Sequence, residues 1–317
     1  MAHFHEIDPT PDRVHWGYFA SDITPTLQIA SGDIVTVHTL SGEPHDMPPA
    51  DSGYTILPHH LEVHSATKRG PGPHLMTGPI AVVGAEPGDS LAIEILDARL
   101  RQDWGFIVIL TKYGTLTEDF RHEYRRVVAI DRARGVIHMP WGLQLAARPF
   151  FGVIGTAPPP EMGQCNSIVP GAFGGNIDNK EMQPGVTLHL PVFVHGGLVS
   201  FGDGHGAQGD GEVCSTAIET AVSGTVRIEL EKRTRIERPW AENSTHLMTM
   251  SFEEDLDEAV KVALRDLIKL IGQKSGLSPE DAYLLCSVAA DIRVTQVVNL
   301  RKGVHAMIPK WALEPPR

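Results

Sequence analysis

The sequence predicts an α+β chain: a β-rich, sandwich- or barrel-like main part followed by a helix–helix–strand unit. Three observations carry this. The 317 residues include 31 glycines and 24 prolines, so turns are many and helices few. Period-two runs rich in β-branched residues, such as IVTVHTL at 34–40, recur through the first 240 residues. Helical spacing comes only later, where Leu256, Val260, Ala263, Leu264, Leu267, Ile268 and Ile271 fall on one face. We therefore divide the chain into a β-rich part, 1–240, and an α+β part, 241–317, packed together as one structural unit.

In chain order, strands are expected at 27–29 and 34–40 around the turn Ser31-Gly32-Asp33. Residues 41–79, rich in Pro, Gly and His, read as a long functional loop. Strands follow at 80–83 and 90–100, a hairpin at 127–130 and 136–139, and a strand at 151–154. Residues 187–195 and 225–232 alternate again. Ser251 with Glu254 reads as a capping box opening a helix over 252–271. Ser278-Pro279 opens a second helix to about Ala290, and 292–298 returns as strand.

The bulk properties limit the function. A formal net charge of −12 argues against nucleic acid or an anionic membrane as partner. No window is long and apolar enough to span a membrane, and the start shows no leader pattern. Three cysteines, Cys165, Cys214 and Cys286, form no CxxC pair, so a reducing, cytoplasmic location is expected.

The densest chemistry lies at 202–212, GDGHGAQGDGE. Five glycines surround Asp203, His205, Gln208, Asp210 and Glu212. So many glycines between two apolar runs mark a backbone that turns sharply or approaches something closely. Asp203 and His205 are two apart, which in extended chain puts both on one face, and Asp210 and Glu212 repeat the relation. A carboxylate and an imidazole converging this way suit a divalent metal, Zn²⁺ first. Asp178, in the glycine-flanked turn at 174–178, is the expected second donor, and His74 a third. These aspartates could instead simply cap turns, and His74 could be an ordinary hydrogen-bonded histidine. Glu212 is the candidate general base, with Glu219 as an alternative shuttle or ligand and Asp210 beside them. Asn176 and Gln208 could orient a substrate or brace the loops.

Several blocks together resemble the acetamidase/formamidase family. They are residues 72–95, FFGVIGTAPP at 150–159, GAFGGNIDNKEM at 171–182, residues 190–220 and residues 280–299. The resemblance implies hydrolysis of a short amide to carboxylate and ammonia, bound divalent metal, a β-rich fold with an α/β C-terminal part, and a homo-oligomer. The His-rich loop would shape the pocket, with His45 as a substrate contact. Ca²⁺ is the ion expected at any second site. Two other readings stay open. One is a nitrilase-like amidase using Cys165 or Cys214, although no Glu-Lys-Cys pattern accompanies them. The other is a non-catalytic protein that binds metal or a small molecule.

Overall fold

The alternating runs assemble into two facing sheets. The computed structural model describes residues 2–314. A nine-stranded sheet contains Asp33–His38, Ser90–Leu100, Thr187–Pro191 and Val222–Glu231. A six-stranded sheet contains Leu75–Val82, Phe150–Gly155 and Val199–His205. Val35, Ile93, Leu188 and Val226 from the large sheet meet Ile80, Phe151, Ile154 and Phe201 from the smaller one in a single core. Each such side chain contributes roughly 1.5–3 kcal/mol by leaving water. The sheets stay open, so the architecture is a sandwich rather than a barrel. Phe150–Gly155 is buried along its whole length, which explains its run of apolar residues without alternation.

A four-stranded antiparallel sheet stands beside the sandwich. It contains Trp104–Ile109, Tyr124–Asp131, Val136–His138 and Gln144–Ala146. Glu219 joins it to the sandwich. The Glu219 N–H donates to the Phe106 carbonyl at 2.8 Å, and the Phe106 N–H donates back at 2.9 Å. On the other side, Gly206 donates to the Ile218 carbonyl and Thr220 to the Gly204 carbonyl, both at 2.7 Å.

Toward the C-terminus the large sheet continues through Trp240–Glu242, His246–Glu253, Lys302–Pro309 and Asp291–Gln296. Helix Leu256–Ser275 covers this end, burying Ala259, Ala263, Leu267 and Ile271 against Leu247, Ala306 and Ile308. Gly276, at φ 75°, ends it in the left-handed conformation that glycine tolerates best. Helix Pro279–Ala289 follows, with Ser278 accepting from the Asp281 N–H.

Three expectations need correction. Ser251 and Phe252 belong to strand His246–Glu253, and Ser251 Oγ donates to the Ala259 carbonyl at 2.6 Å. Asp255 is the cap instead, accepting from the Glu258 N–H at 3.0 Å. Residues 41–79 are not a bare loop, because they contain helix Pro58–Ala66 and strand Leu75–Val82. The last expected strand, 292–298, is Asp291–Gln296.

Candidate active site

The glycine-rich segment begins as a strand. Val199–His205 runs between Phe150–Gly155 and Leu75–Val82 in the six-stranded sheet. A Cβ on Gly202 would lie 2.7 Å from the Leu75 carbonyl oxygen, and one on Gly204 would lie 2.3 Å from that of Thr220. Glycine is what lets these strands close up. Beyond His205 the chain turns, and residues 206–218 carry Gln208, Glu212 and then Glu219 around to the same place.

Five buried side chains meet there. His205 Nε2 lies 3.2 Å from Asp203 Oδ2 and 3.2 Å from Glu219 Oε1. Asp178 Oδ1 is 3.8 Å away and Glu212 Oε1 4.0 Å away. His205 is wholly inaccessible, and none of the four acids is more than 7% exposed. Asp178, Asp203 and Glu212 have φ of 43°, 54° and 46°. A glutamate gains nothing locally from that conformation, and such residues cost of order 1–3 kcal/mol each. The fold therefore holds these carboxylates in place at the expense of backbone strain.

Neighbouring groups fix each member. His205 Nδ1 faces Gln208 Oε1 at 2.8 Å and so carries hydrogen, which leaves Nε2 facing the acids. Gln208 in turn donates to the Asp178 carbonyl at 2.6 Å. Asn299 Nδ2 donates to Asp178 Oδ2 at 2.5 Å. Glu219 accepts from the Ala217 N–H at 3.0 Å and from Ser41 Oγ at 3.2 Å. His74 stands at the edge, its Nδ1 on Ser167 Oγ and its Nε2 3.7 Å from Asp203.

Four carboxylates around one imidazole are electrostatically unbalanced. Burial, then repulsion from Asp203, pushes Asp178 up to about 8. Burial pushes Glu219 up to about 7 and, with Asp178, pushes Glu212 well above the usual carboxylate range. Burial also opposes charge on Asp203, but His74 and His205 outweigh it and hold that group low. Burial lowers His205, yet Glu219 and Asp203 prevail and hold it well above its ordinary value. A divalent cation is the natural compensator.

The residues fit one. Asp178 Oδ1, His205 Nε2 and Glu212 Oε2 are buried without a hydrogen-bond partner among the described residues. Asp178, Asp203 and His205 each place a donor atom within 4.8 Å of the others, as do His205, Glu212 and Glu219. Bonds of ~2.0 Å to a tetrahedral ion imply ligand–ligand edges of ~3.3 Å. The two 3.2 Å separations from His205 match that edge.

Not every expected residue joins the cluster. Asp210 does not, because Gly211 and Glu212, at φ 92° and 46°, turn the chain between the two acids. Its carboxylate pairs with Arg293 at 2.6 Å and Lys180 at 3.1 Å. His45 sits at the mouth of the overlying cavity with its side chain 62% exposed, away from the cluster. Asn176 lines the cavity, and its Oδ1 is buried without a partner. Gln208 braces His205 and Asp178 from behind. Neither Cys165 nor Cys214 lines the cavity. Burial pushes the Cys165 thiol up, away from the reactive thiolate.

Sequence reading missed Gly152, Ser41 and Asn299 as site residues. A Cβ on Gly152 would lie 2.4 Å from Asp178 Oδ1, 2.7 Å from Asp203 Oδ2 and 2.9 Å from His205 Cε1. A glycine inside the apolar run FFGVIG was the available signal.

Comparison with known proteins identifies the family. The sequence profile of the Acetamidase/Formamidase family matches residues 7–167 and 163–312. The formamidase of Methylophilus methylotrophus is 31% identical over 212 residues, which is 50% of this chain and 52% of that protein. The chain thus spans about half the length of the curated relatives it matches. A solved acetamidase from Bacillus halodurans is 29% identical, with TM-score 0.82 over 96% of this chain and 97% of that one. One from Yersinia enterocolitica is 28% identical, with TM-score 0.86 over 99% and 94%. With a profile match across nearly its whole length and the same fold as these enzymes, the chain belongs to the Acetamidase/Formamidase family.

Proposed function

We propose that the chain is a metal-dependent amidohydrolase that converts a short aliphatic amide, formamide- or acetamide-like, to a carboxylate and ammonia. The observation that carries this reading is the buried set of partnerless donors, Asp178 Oδ1, His205 Nε2 and Glu212 Oε2, beneath a cavity. The relatives' names, formamidase and acetamidase, point to the same chemistry.

In this reading Asp178, Asp203, His205 and Glu219 hold the ion, and Zn²⁺ suits one imidazole with carboxylates at this spacing. Ca²⁺ would suit an oxygen-only second site. The bound ion supplies Lewis acidity that lowers the pKa of water toward ~7 and polarises the amide carbonyl. Burial raises Glu212, and a bound cation beside it would favour its charged, proton-accepting form. Glu212 takes a proton from the attacking water as the new C–O bond forms. It passes that proton to the nitrogen as the C–N bond breaks and ammonia leaves. Asn176 Oδ1 accepts an N–H of the substrate amide, and His74 flanks it at the edge.

Assembly as a homo-oligomer, a cytoplasmic location and a single structural unit complete the proposal. Among the described residues no helix is long and apolar enough to cross a membrane. All three cysteines are unpaired, and the large sheet runs through both parts of the chain. The test is ammonia release from formamide and acetamide, with bound metal measured in parallel. Activity should vanish on chelation, return with a divalent ion and survive iodoacetamide. Full activity in metal-free protein, or its loss on thiol alkylation, would overturn the reading.

A further inference from the structure

The cavity above the cluster measures about 290 Å³. An apolar cavity of ~150 Å³ accepts benzene, whereas acetamide needs about the space of two or three waters, ~60–90 Å³. The surplus room runs in a definite direction. Phe106 and Val108 are two apart on strand Trp104–Ile109, so their side chains share a face, and both line the cavity. The stripe starts at the cluster, because Phe106 is the residue whose backbone pairs with Glu219. Leu110 and Tyr113 extend it, and Ile168 and Val298 also line the cavity. Phe106 and Val108 are 4% and 3% exposed and pack with Met47 and Val127, so this wall is firm. The two arginines of the lining are already engaged. Arg69 is paired with Glu43 and Arg125 with Asp46.

Resting on the amide-hydrolysis part of that reading and replacing its short aliphatic acyl group, we infer that the acyl side of this site is built for an apolar group of aryl size, larger than methyl. The ring lies along Phe106, Val108 and Leu110, and the carboxamide points toward Glu212 and Asn176. Benzamide is the simplest probe. Its hydrolysis consumes one water, breaks the C–N bond and yields benzoate and ammonium.

The experiment measures kcat/KM of the metal-loaded full chain for benzamide and acetamide, with calorimetric binding of both. Benzamide should exceed acetamide at least ~30-fold in kcat/KM. Leu110→Trp, which narrows the outer part of the stripe, should cut that ratio at least ~10-fold. Acetamide equal to or better than benzamide would overturn the inference while leaving the amidase reading intact. So would a ratio unmoved by a folded, metal-replete Leu110→Trp. If neither amide releases ammonia, the amidase reading fails and binding decides the inference. Tighter binding of benzamide, weakened by Leu110→Trp, supports an aryl-sized seat, and equal binding of the two amides overturns it.

Discussion

The rim and the floor of one cavity treat acids in opposite ways. At the rim Glu43 pairs with Arg69, and Asp46 pairs with Arg125 while accepting the Glu43 N–H. Each carboxylate there has its own cation. At the floor Asp178, Asp203, Glu212 and Glu219 surround the imidazole of His205, with His74 at the edge near Asp203, and three of the four sit at strained backbone positions. Acids are abundant in this chain, which has 39 Asp and Glu, so abundance alone locates nothing. What distinguishes the floor is acids crowded together in a buried place without a cation each. A fold optimised only for stability would pair or remove such groups.

Substitutions can break this contrast, beginning with the floor. His205→Ala removes the nitrogen donor at its centre, and we expect bound metal and ammonia release both to fall to background by elemental analysis and assay. Metal retained at wild-type stoichiometry would show that the carboxylates alone hold it. Glu212→Gln keeps shape and hydrogen bonding but cannot take a proton. It should retain metal, bind substrate normally and lose roughly 10²–10⁴-fold in kcat. Loss of the metal would make Glu212 a ligand and move the base role to Glu219. Gly152→Ala puts a methyl 2.4 Å from Asp178 Oδ1. A displacement of this kind should cost on the order of 10²-fold in kcat/KM, and an unchanged rate would show that the strand yields freely.

A third kind of buried group sharpens the comparison. His15, His60 and His305 are buried without an ion-pair partner among the described residues, and burial pushes each of them down to about 4. They are neutral in the folded chain, whereas unfolded histidine titrates near ~6.5. Between these values the unfolded chain binds more protons, so stability is full above pH ~6.5 and falls as pH drops toward ~4. Each can contribute up to ~3 kcal/mol to that fall. Urea midpoints at pH 7 and pH 5 test it, and equal midpoints would contradict it. The smallest effect belongs to the rim. Arg69 is half exposed, and Arg69→Gln should change stability by less than ~1 kcal/mol. A large loss in thermal melting would mean that the rim pair is structural after all.

The sequence made some of this legible and hid the rest for physical reasons. The C-terminal helix was readable because Ala263, Leu267 and Ile271 of the expected face recur at helical spacing and are buried, while the buried Ala259 and Leu270 were not part of that reading. Its start was misplaced because Ser251-x-x-Glu254 and Asp255-x-x-Glu258 are equally good caps in isolation. Pairing of His246–Glu253 with Lys302–Pro309 decides for the second. Helix Pro58–Ala66 escaped notice because Leu61 and Val63 do not make an apolar stripe among its histidines. At the site, Asp203 and His205 were readable because both lie on one strand. The same two-residue rule failed for Asp210 and Glu212, where Gly211 bends the chain. Gly152 and Asn299 act from other strands and loops, and no local pattern reports such approaches.

Glu219 sits on a seam, and the seam divides labour. Its backbone bonds to Phe106 of the small sheet, and its neighbours bond to the strand that carries Asp203 and His205. The sandwich thus holds the donors, while the small sheet and the turn after it hold the wall formed by Phe106, Val108, Leu110 and Tyr113. These two modules can drift separately over evolutionary time. Redecorating the side chains of residues 107–123 would reshape the cavity while leaving the donors aimed, provided Phe106 keeps its backbone grip on Glu219 and Val108 and Thr115 keep theirs on the segment that follows Glu212. For the protein engineer, diversity belongs in that stretch, and the seam itself is best left untouched.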